Sequence, residues 1–213
     1  MKLDYQNAFL GEKSAEALKG KTVTVVGVGG LGSVVAEMLT RAGLNLRIID
    51  KERVYVEDLP RQALYTNDEL QKFKAKQIKV HLEKINPNIT VKTFHEDLAA
   101  SHVFLVNSDL VIDCTNYDKV SPAIAAHCKK QKIPYVVGVY SGSEGIVLAS
   151  STIPSKITAA FEKLKAEKGV LGVTTHYVGS LVVAKALKIL TGQKYKKTPL
   201  KLNAWTMTAR EIK

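Results

Sequence analysis

Strands that alternate with helices, a glycine-rich turn after the first strand and an aspartate closing the second predict an α/β fold. The expected form is a Rossmann-like, doubly wound, mainly parallel sheet with an antiparallel C-terminal part. Residues 1–20 are polar and read as a short helical lead-in. Residues 22–28 are β-branched and apolar and end in glycine, the pattern of a buried strand. A helix over 31–42 follows, with Val34, Val35, Met38 and Leu39 as its apolar stripe, and Gly43 ends it. Residues 46–50 form a second strand, which completes a βαβ unit.

Residues 51–67 lack a clear period and hold Pro60, which predicts a loop with short helical turns. Asp68 is the expected cap of a helix running to about Ile85, stopped by Asn86-Pro87-Asn88. Strands are expected at 89–94, 110–114, 135–139 and 146–149. Ser121-Pro122 starts a helix, since proline suits a first turn. A helix over 157–168, another over 179–190 closed by Gly192, and a last strand over 200–206 complete the chain. The whole is expected to be one domain: a lead-in at 1–20, a nucleotide-binding core at 21–140, and a C-terminal part at 141–213 with a partner-binding surface.

Composition narrows the function. Of the 213 residues, 46% are hydrophobic, enough for a real core. The longest apolar runs, such as 23–28, are too short for a membrane span. No apolar signal-peptide core follows Met1, so a cytoplasmic protein is expected. The two cysteines, Cys114 and Cys128, form no C-x-x-C pair, which argues against a zinc site and for ordinary buried thiols. The net charge of +11 favours acidic partners: nucleic acid, phosphates or an acidic protein.

Gly27-Val28-Gly29-Gly30-Leu31-Gly32 matches G-x-G-x-x-G between a strand and a helix, the context in which that pattern binds a phosphate. Gly27 makes the tight turn, Gly29 lets backbone approach the phosphate, and Gly32 lets the helix pack on the strand. The helix N-terminus favours the anion. Asp50 is placed to bind ribose hydroxyls. Arg61 and Lys74 follow at a distance from which both could reach a triphosphate, which would favour ATP over NAD, although by spacing alone each reads first as a solvated surface cation.

These residues resemble the ThiF/MoeB/HesA family and the ubiquitin-activating enzymes. Gly27–Ser33 is similar to the family's GxGGLGS loop. Asp50, Asp58-Leu59-Pro60-Arg61-Gln62, Lys74-Ala75 and Asn86-Pro87 follow in the family's order. Gly169-Val170-Leu171-Gly172, Gly179-Ser180 and the Ala186 to Gly192 run look like its C-terminal helix. The resemblance implies ATP and Mg²⁺ as cofactors and adenylation of the C-terminal glycine of a ubiquitin-like or sulfur-carrier protein, within a homodimer or heterodimer. It implies that Gly27, Gly29, Gly30 and Gly32 cradle phosphates and that Asp50 holds the ribose. It puts Asp58, Gln62 and Asn116 at the nucleotide too, with Arg61 and Lys74 as the catalytic cations.

The departures set further expectations. The family's N-L-x-R-Q asparagine is Asp58, which adds negative charge near the phosphates. The family's D-x-T-D-N motif reads Asp113-Cys114-Thr115-Asn116-Tyr117, so Asn116 stands where the magnesium aspartate belongs, with Asp113 or Asp118 as substitutes. Asparagine at 116 could instead cap the turn before the Ser121 helix. The arginine of an N-terminal Y-x-R-Q is Asn7. Behind the active adenylyltransferase stand two alternatives: a degenerate nucleotide-binding or scaffolding subunit, and a tRNA-modifying relative that uses the basic surface.

Overall fold

The computed structural model describes residues 1–166 and 169–212. Among them the strands form an eight-stranded sheet in the order β3-β2-β1-β4-β5-β6-β7-β8. The strands are β1 (Thr22–Val26), β2 (Asn45–Ile49), β3 (Val91–Phe94), β4 (Leu110–Asp113), β5 (Tyr135–Ser141), β6 (Glu144–Leu148), β7 (Leu200–Asn203) and β8 (Thr208–Glu211). The first five pair in parallel, and β6, β7 and β8 add on in antiparallel fashion. The doubly wound sheet with an antiparallel C-terminal part therefore forms as expected. β1 neighbours β2 on one side and β4 on the other, so the chain reverses its winding there. A crevice opens at the carboxyl ends of strands at such a point.

Alternation along each strand sends side chains to both faces. Val23, Val25, Leu46, Ile48, Leu110 and Ile112 join one apolar cluster with helices α3 (Gly30–Arg41), α4 (Lys74–Ile85) and α7 (Gly172–Leu190). Val26, Ile49, Val111 and Val137 join the other with α5 (Ser121–Gln131) and α6 (Ser155–Lys165). Helices α1 (Asp4–Leu10) and α2 (Glu12–Leu18) precede β1 as the polar lead-in. No helix among the described residues is long and apolar enough to cross a membrane.

Several boundaries differ from the sequence reading, each for a local reason. α4 starts at Lys74, not after Asp68. Asp68 lies in a single 3-10 turn, Asn67–Glu69, where the Glu69 carboxylate accepts the Thr66 N–H at 2.9 Å. Gln71 then turns left-handed at φ 66, and Phe73 bridges Arg53 in extended form, so the helix cannot continue. α7 begins at Gly172, seven residues before Gly179. Glycine and two threonines are weak helix formers. Here Thr175 Oγ1 donates to the Gly172 carbonyl at 2.7 Å and Thr174 Oγ1 to that of Gly142 at 2.9 Å, which fixes the first turn. The tail is a hairpin of β7 and β8 where one strand was expected. Asn203 Oδ1 accepts the Trp205 and Thr206 N–H groups and turns the chain. α6 ends at Lys165; the last two residues of its expected span, Glu167 and Lys168, lie outside the described residues.

The glycine turn fixes how closely α3 sits on the sheet. Gly27 adopts φ 79, a left-handed conformation open to glycine. A Cβ on Gly32 would lie 1.9 Å from the Gly27 carbonyl oxygen. No rearrangement of a flexible side chain relieves a clash with backbone. Gly32→Ala should therefore cost at least ~2–3 kcal/mol of stability or prevent folding. Gly29→Ala meets nothing nearer than Gln62 Nε2 at 3.7 Å and should cost under ~1 kcal/mol. Urea denaturation of the two variants checks this, and equal losses would contradict it.

Candidate active site

The crevice at the winding reversal is a cavity of about 650 Å³. Val26 ends β1 there and Gly27 follows it, Ile49 ends β2 and Asp50 follows it, and Cys114 and Thr115 follow the end of β4. α3 points its N-terminus into it. Gly29, the N-cap, offers no side-chain cap, so the first N–H groups of the helix, that of Leu31 beside Tyr140 excepted, stay open to an anion.

Asp50 is 8% exposed and holds two backbone donors. Its Oδ2 accepts the Val28 N–H and its Oδ1 the Glu52 N–H, each at 2.7 Å. Burial raises its pKa above the ordinary 3.8, against those two hydrogen bonds and the Lys74 charge. The group thus costs stability: as pH rises from 3.8 through the folded-state value, its contribution falls, and the loss stays complete at neutral pH.

The cations form one network. Lys74, at the start of α4, is 1% exposed. Its Nζ meets Glu52 at 2.7 Å and Asp58 at 3.1 Å. Burial lowers its pKa, but the hydrogen bonds and charges of Glu52 and Asp58 outweigh that and raise it, so the ammonium persists. This stabilisation is present below pH 10.5 and is lost as pH rises through the folded-state value. Asp58, 5% exposed, also accepts from Arg61 Nη2 at 3.0 Å, from the Tyr55 N–H at 3.0 Å and from Gln62 Nε2. Its carboxylate therefore lies between the two cations. The charge expected to repel phosphates is matched in place by Lys74 and Arg61. Arg61 keeps 30% of its side chain exposed at the cavity wall, where it also donates to the Glu57 carbonyl.

The structure brings Gly27, Gly29, Gly30, Asp50, Asp58, Arg61, Gln62, Lys74, Asn116 and Asp118 to one cavity. Two expected residues are elsewhere. Gly32 is packed beneath the turn against Gly27 and does not line the cavity. Asp113 is fully buried and committed: Oδ1 accepts from the Thr115 N–H and hydroxyl, and Oδ2 from the Tyr135 hydroxyl at 2.7 Å. It cannot reach a metal in the cavity. Asn116 does not cap the following helix, whose N-cap is Val120. It sits at φ 62 and its Oδ1 accepts the Tyr140 N–H at 2.8 Å. Asp118 lines the cavity, and its Oδ1 accepts the Lys119 N–H at 2.7 Å. No cluster of three His, Cys, Asp or Glu residues able to hold a metal is found among the described residues.

Sequence reasoning missed Glu52, which lies in the stretch without a period, and Tyr140, just beyond the expected end of its strand. The charge demand of a buried lysine signals Glu52 only once Lys74 is known to be buried. Both cysteines are free and buried. Burial pushes Cys128 up to about 12, and Cys114 also well up, so neither is a thiolate at neutral pH.

Comparisons with known proteins agree with this geometry. A family model described as ThiF family matches residues 3–213. The molybdopterin-synthase adenylyltransferase of Haemophilus influenzae is 29% identical, over 93% of this chain and 87% of that protein. The sulfur carrier protein ThiS adenylyltransferase of Bacillus subtilis is 26% identical, over 96% of this chain and 64% of that protein. E. coli MccB crystallised with ATP superposes with a TM-score of 0.80 at 17% identity, over 94% of this chain and 65% of that one. The chain thus spans a little under two thirds of the latter two, and at that identity the MccB likeness shows the fold alone.

Asp50 separates function from stability in a testable way. Asp50→Asn removes a buried charge but sets an amide NH2 against one of the two backbone N–H donors, so stability should fall by no more than ~1–3 kcal/mol. The stability decline above pH 3.8 that belongs to this group should vanish. ATP affinity, by calorimetry, should fall roughly tenfold or more, about 1.4 kcal/mol. A large stability loss with unchanged affinity would contradict the ribose role.

Proposed function

The chain belongs to the ThiF family, and from that premise we propose that it adenylates the C-terminal carboxylate of a sulfur-carrier protein with ATP. The observation that carries the reading is the convergence of Lys74, Arg61 and the uncapped N-terminus of α3 on one cavity. The named relatives above, adenylyltransferases for molybdopterin synthase and for ThiS, supply the substrate class.

In this reading a carboxylate oxygen of the carrier attacks the α-phosphorus of ATP. The bond from that phosphorus to the bridging oxygen of the β-phosphate breaks, and pyrophosphate leaves with the electron pair. Little covalent chemistry falls to the protein. Arg61 and Lys74 neutralise charge on the leaving pyrophosphate, and the backbone N–H groups at Gly29 and Gly30 orient the phosphates. Asp50 takes the ribose hydroxyls with the lone pairs left by Val28 and Glu52. Asp58 and Gln62 hold the cations in position. Asn116 shapes the wall through Tyr140. Mg²⁺ is bound through one or two carboxylates and the phosphates in sites of this chemistry. Asp118, which lines the cavity, would hold the ion, and the ion would supply further neutralisation of the triphosphate charge.

The degenerate-subunit alternative is not favoured, because the named relatives are adenylyltransferases and Lys74 and Arg61 both line the cavity. A tRNA substrate becomes an outcome of the test. Exchange of labelled pyrophosphate into ATP should depend on a sulfur-carrier protein ending in Gly-Gly. Arg61→Ala should lower that rate roughly a hundredfold, the scale of losing one preorganised charge-stabilising group. Exchange that needs tRNA instead, or no exchange with either, would contradict the proposal.

A further inference from the structure

Tyr140, near the end of β5, lines the cavity, and its hydroxyl and the Arg61 carbonyl both lie close to Gly30. Two features fix it. Its N–H donates to Asn116 Oδ1 at 2.8 Å, which ties it to the turn after β4. Its hydroxyl ends beside Gly30, where an added Cβ would lie 2.9 Å from the oxygen. That glycine leaves the room the phenol occupies. Thr175 closes the other side of the same spot, its Cγ2 3.1 Å from the same Cβ position.

The phenol oxygen lies beside the first turn of α3, where the Leu31 N–H and the Arg61 charge act on it. A hydroxyl that accepts one hydrogen bond still has its own hydrogen to give. Burial holds the pKa of Tyr140 above 10, with Arg61 offsetting only part. The group keeps its proton at neutral pH and serves as a donor, not a base.

We propose that the Tyr140 hydroxyl is a catalytic donor, giving its hydrogen bond to a non-bridging oxygen of the α-phosphoryl group while the acyl adenylate forms. The inference rests on the adenylation reading above. The phenol oxygen sits against the start of α3 at Gly30, and its hydrogen is the one given to the phosphoryl oxygen. The hydroxyl extends the positive end of α3 by one bond into the cavity. No proton is transferred: the only bonds that change are the new bond from carboxylate oxygen to phosphorus and the broken bond to pyrophosphate. A neutral donor suits an oxygen whose charge grows in the transition state, while Arg61 and Lys74 meet the standing charge of the leaving group.

The test is pyrophosphate exchange by wild type and Tyr140→Phe, with a sulfur-carrier protein ending in Gly-Gly. The substrates are ATP and the two diastereomers of ATPαS. The variant keeps the ring and loses one hydroxyl. Its kcat should fall roughly ten- to a hundredfold with KM for ATP changed less than threefold. The ratio of rates for the two diastereomers should also shift at least several-fold, because sulfur at the oxygen facing Tyr140 is a weaker acceptor. A merely structural role would raise KM or lower thermal stability and leave that ratio alone, which overturns the proposal. Wild-type exchange matched by the variant overturns the Tyr140 role and leaves adenylation standing. Wild type that binds ATP but catalyses no exchange overturns adenylation, and the Tyr140 role with it.

Discussion

Lys74 is 1% exposed, and it carries a charge. An unpaired ammonium in that position would cost several kcal/mol or lose its proton. The chain therefore has to bring carboxylates to it. Glu52 comes from the segment after β2, and Asp58 from the 3-10 turn Val56–Asp58. Those contacts pull the irregular stretch between β2 and α4 against the end of the sheet and make it a cavity wall. Asp58 in turn aligns Arg61 and Gln62. One buried charge thus organises the side of the cavity where a polyphosphate would lie, and the preorganisation comes before any ligand.

The opposite wall depends on close backbone approach. Gly32 lets α3 lie on the Gly27 turn, and Gly27 itself packs against the Cys114 carbonyl, with a Cβ there only 3.1 Å away. The helix is held by packing, not by a side-chain cap. Its first N–H groups remain available for a ligand, except that of Leu31, which Tyr140 engages. Packing and capping that would usually be joined at a helix N-terminus are separated here, and the separation is what leaves an anion site.

The sequence made the βαβ unit, the glycine turn, Asp50 and the two cations legible, because each rests on a local period or a short motif. What it hid was relational. Asp58 read as a charge out of place, since spacing says nothing of the two cations that flank it. Asp113 read as a spare metal ligand, since its seal by Thr115 and Tyr135 joins β4 to β5 across the sheet. The early start of α7 was masked by residues of low helix propensity, which Thr174 and Thr175 overcome through side-chain bonds to Gly142 and Gly172. Glu52 and Tyr140 carry no motif at all; their meaning comes from what they face.

The central claim is that Lys74 and Arg61, set by Asp58, are kept for the phosphates beyond the α-position of ATP. Calorimetric titration of the protein with ATP, AMP and NAD, each with Mg²⁺ in the buffer, measures this most directly. The account predicts that ATP binds at least roughly tenfold more tightly than AMP, about 1.4 kcal/mol from the added phosphates, with NAD giving no heat. Equal affinities for ATP and AMP, or tight binding of NAD, would contradict it.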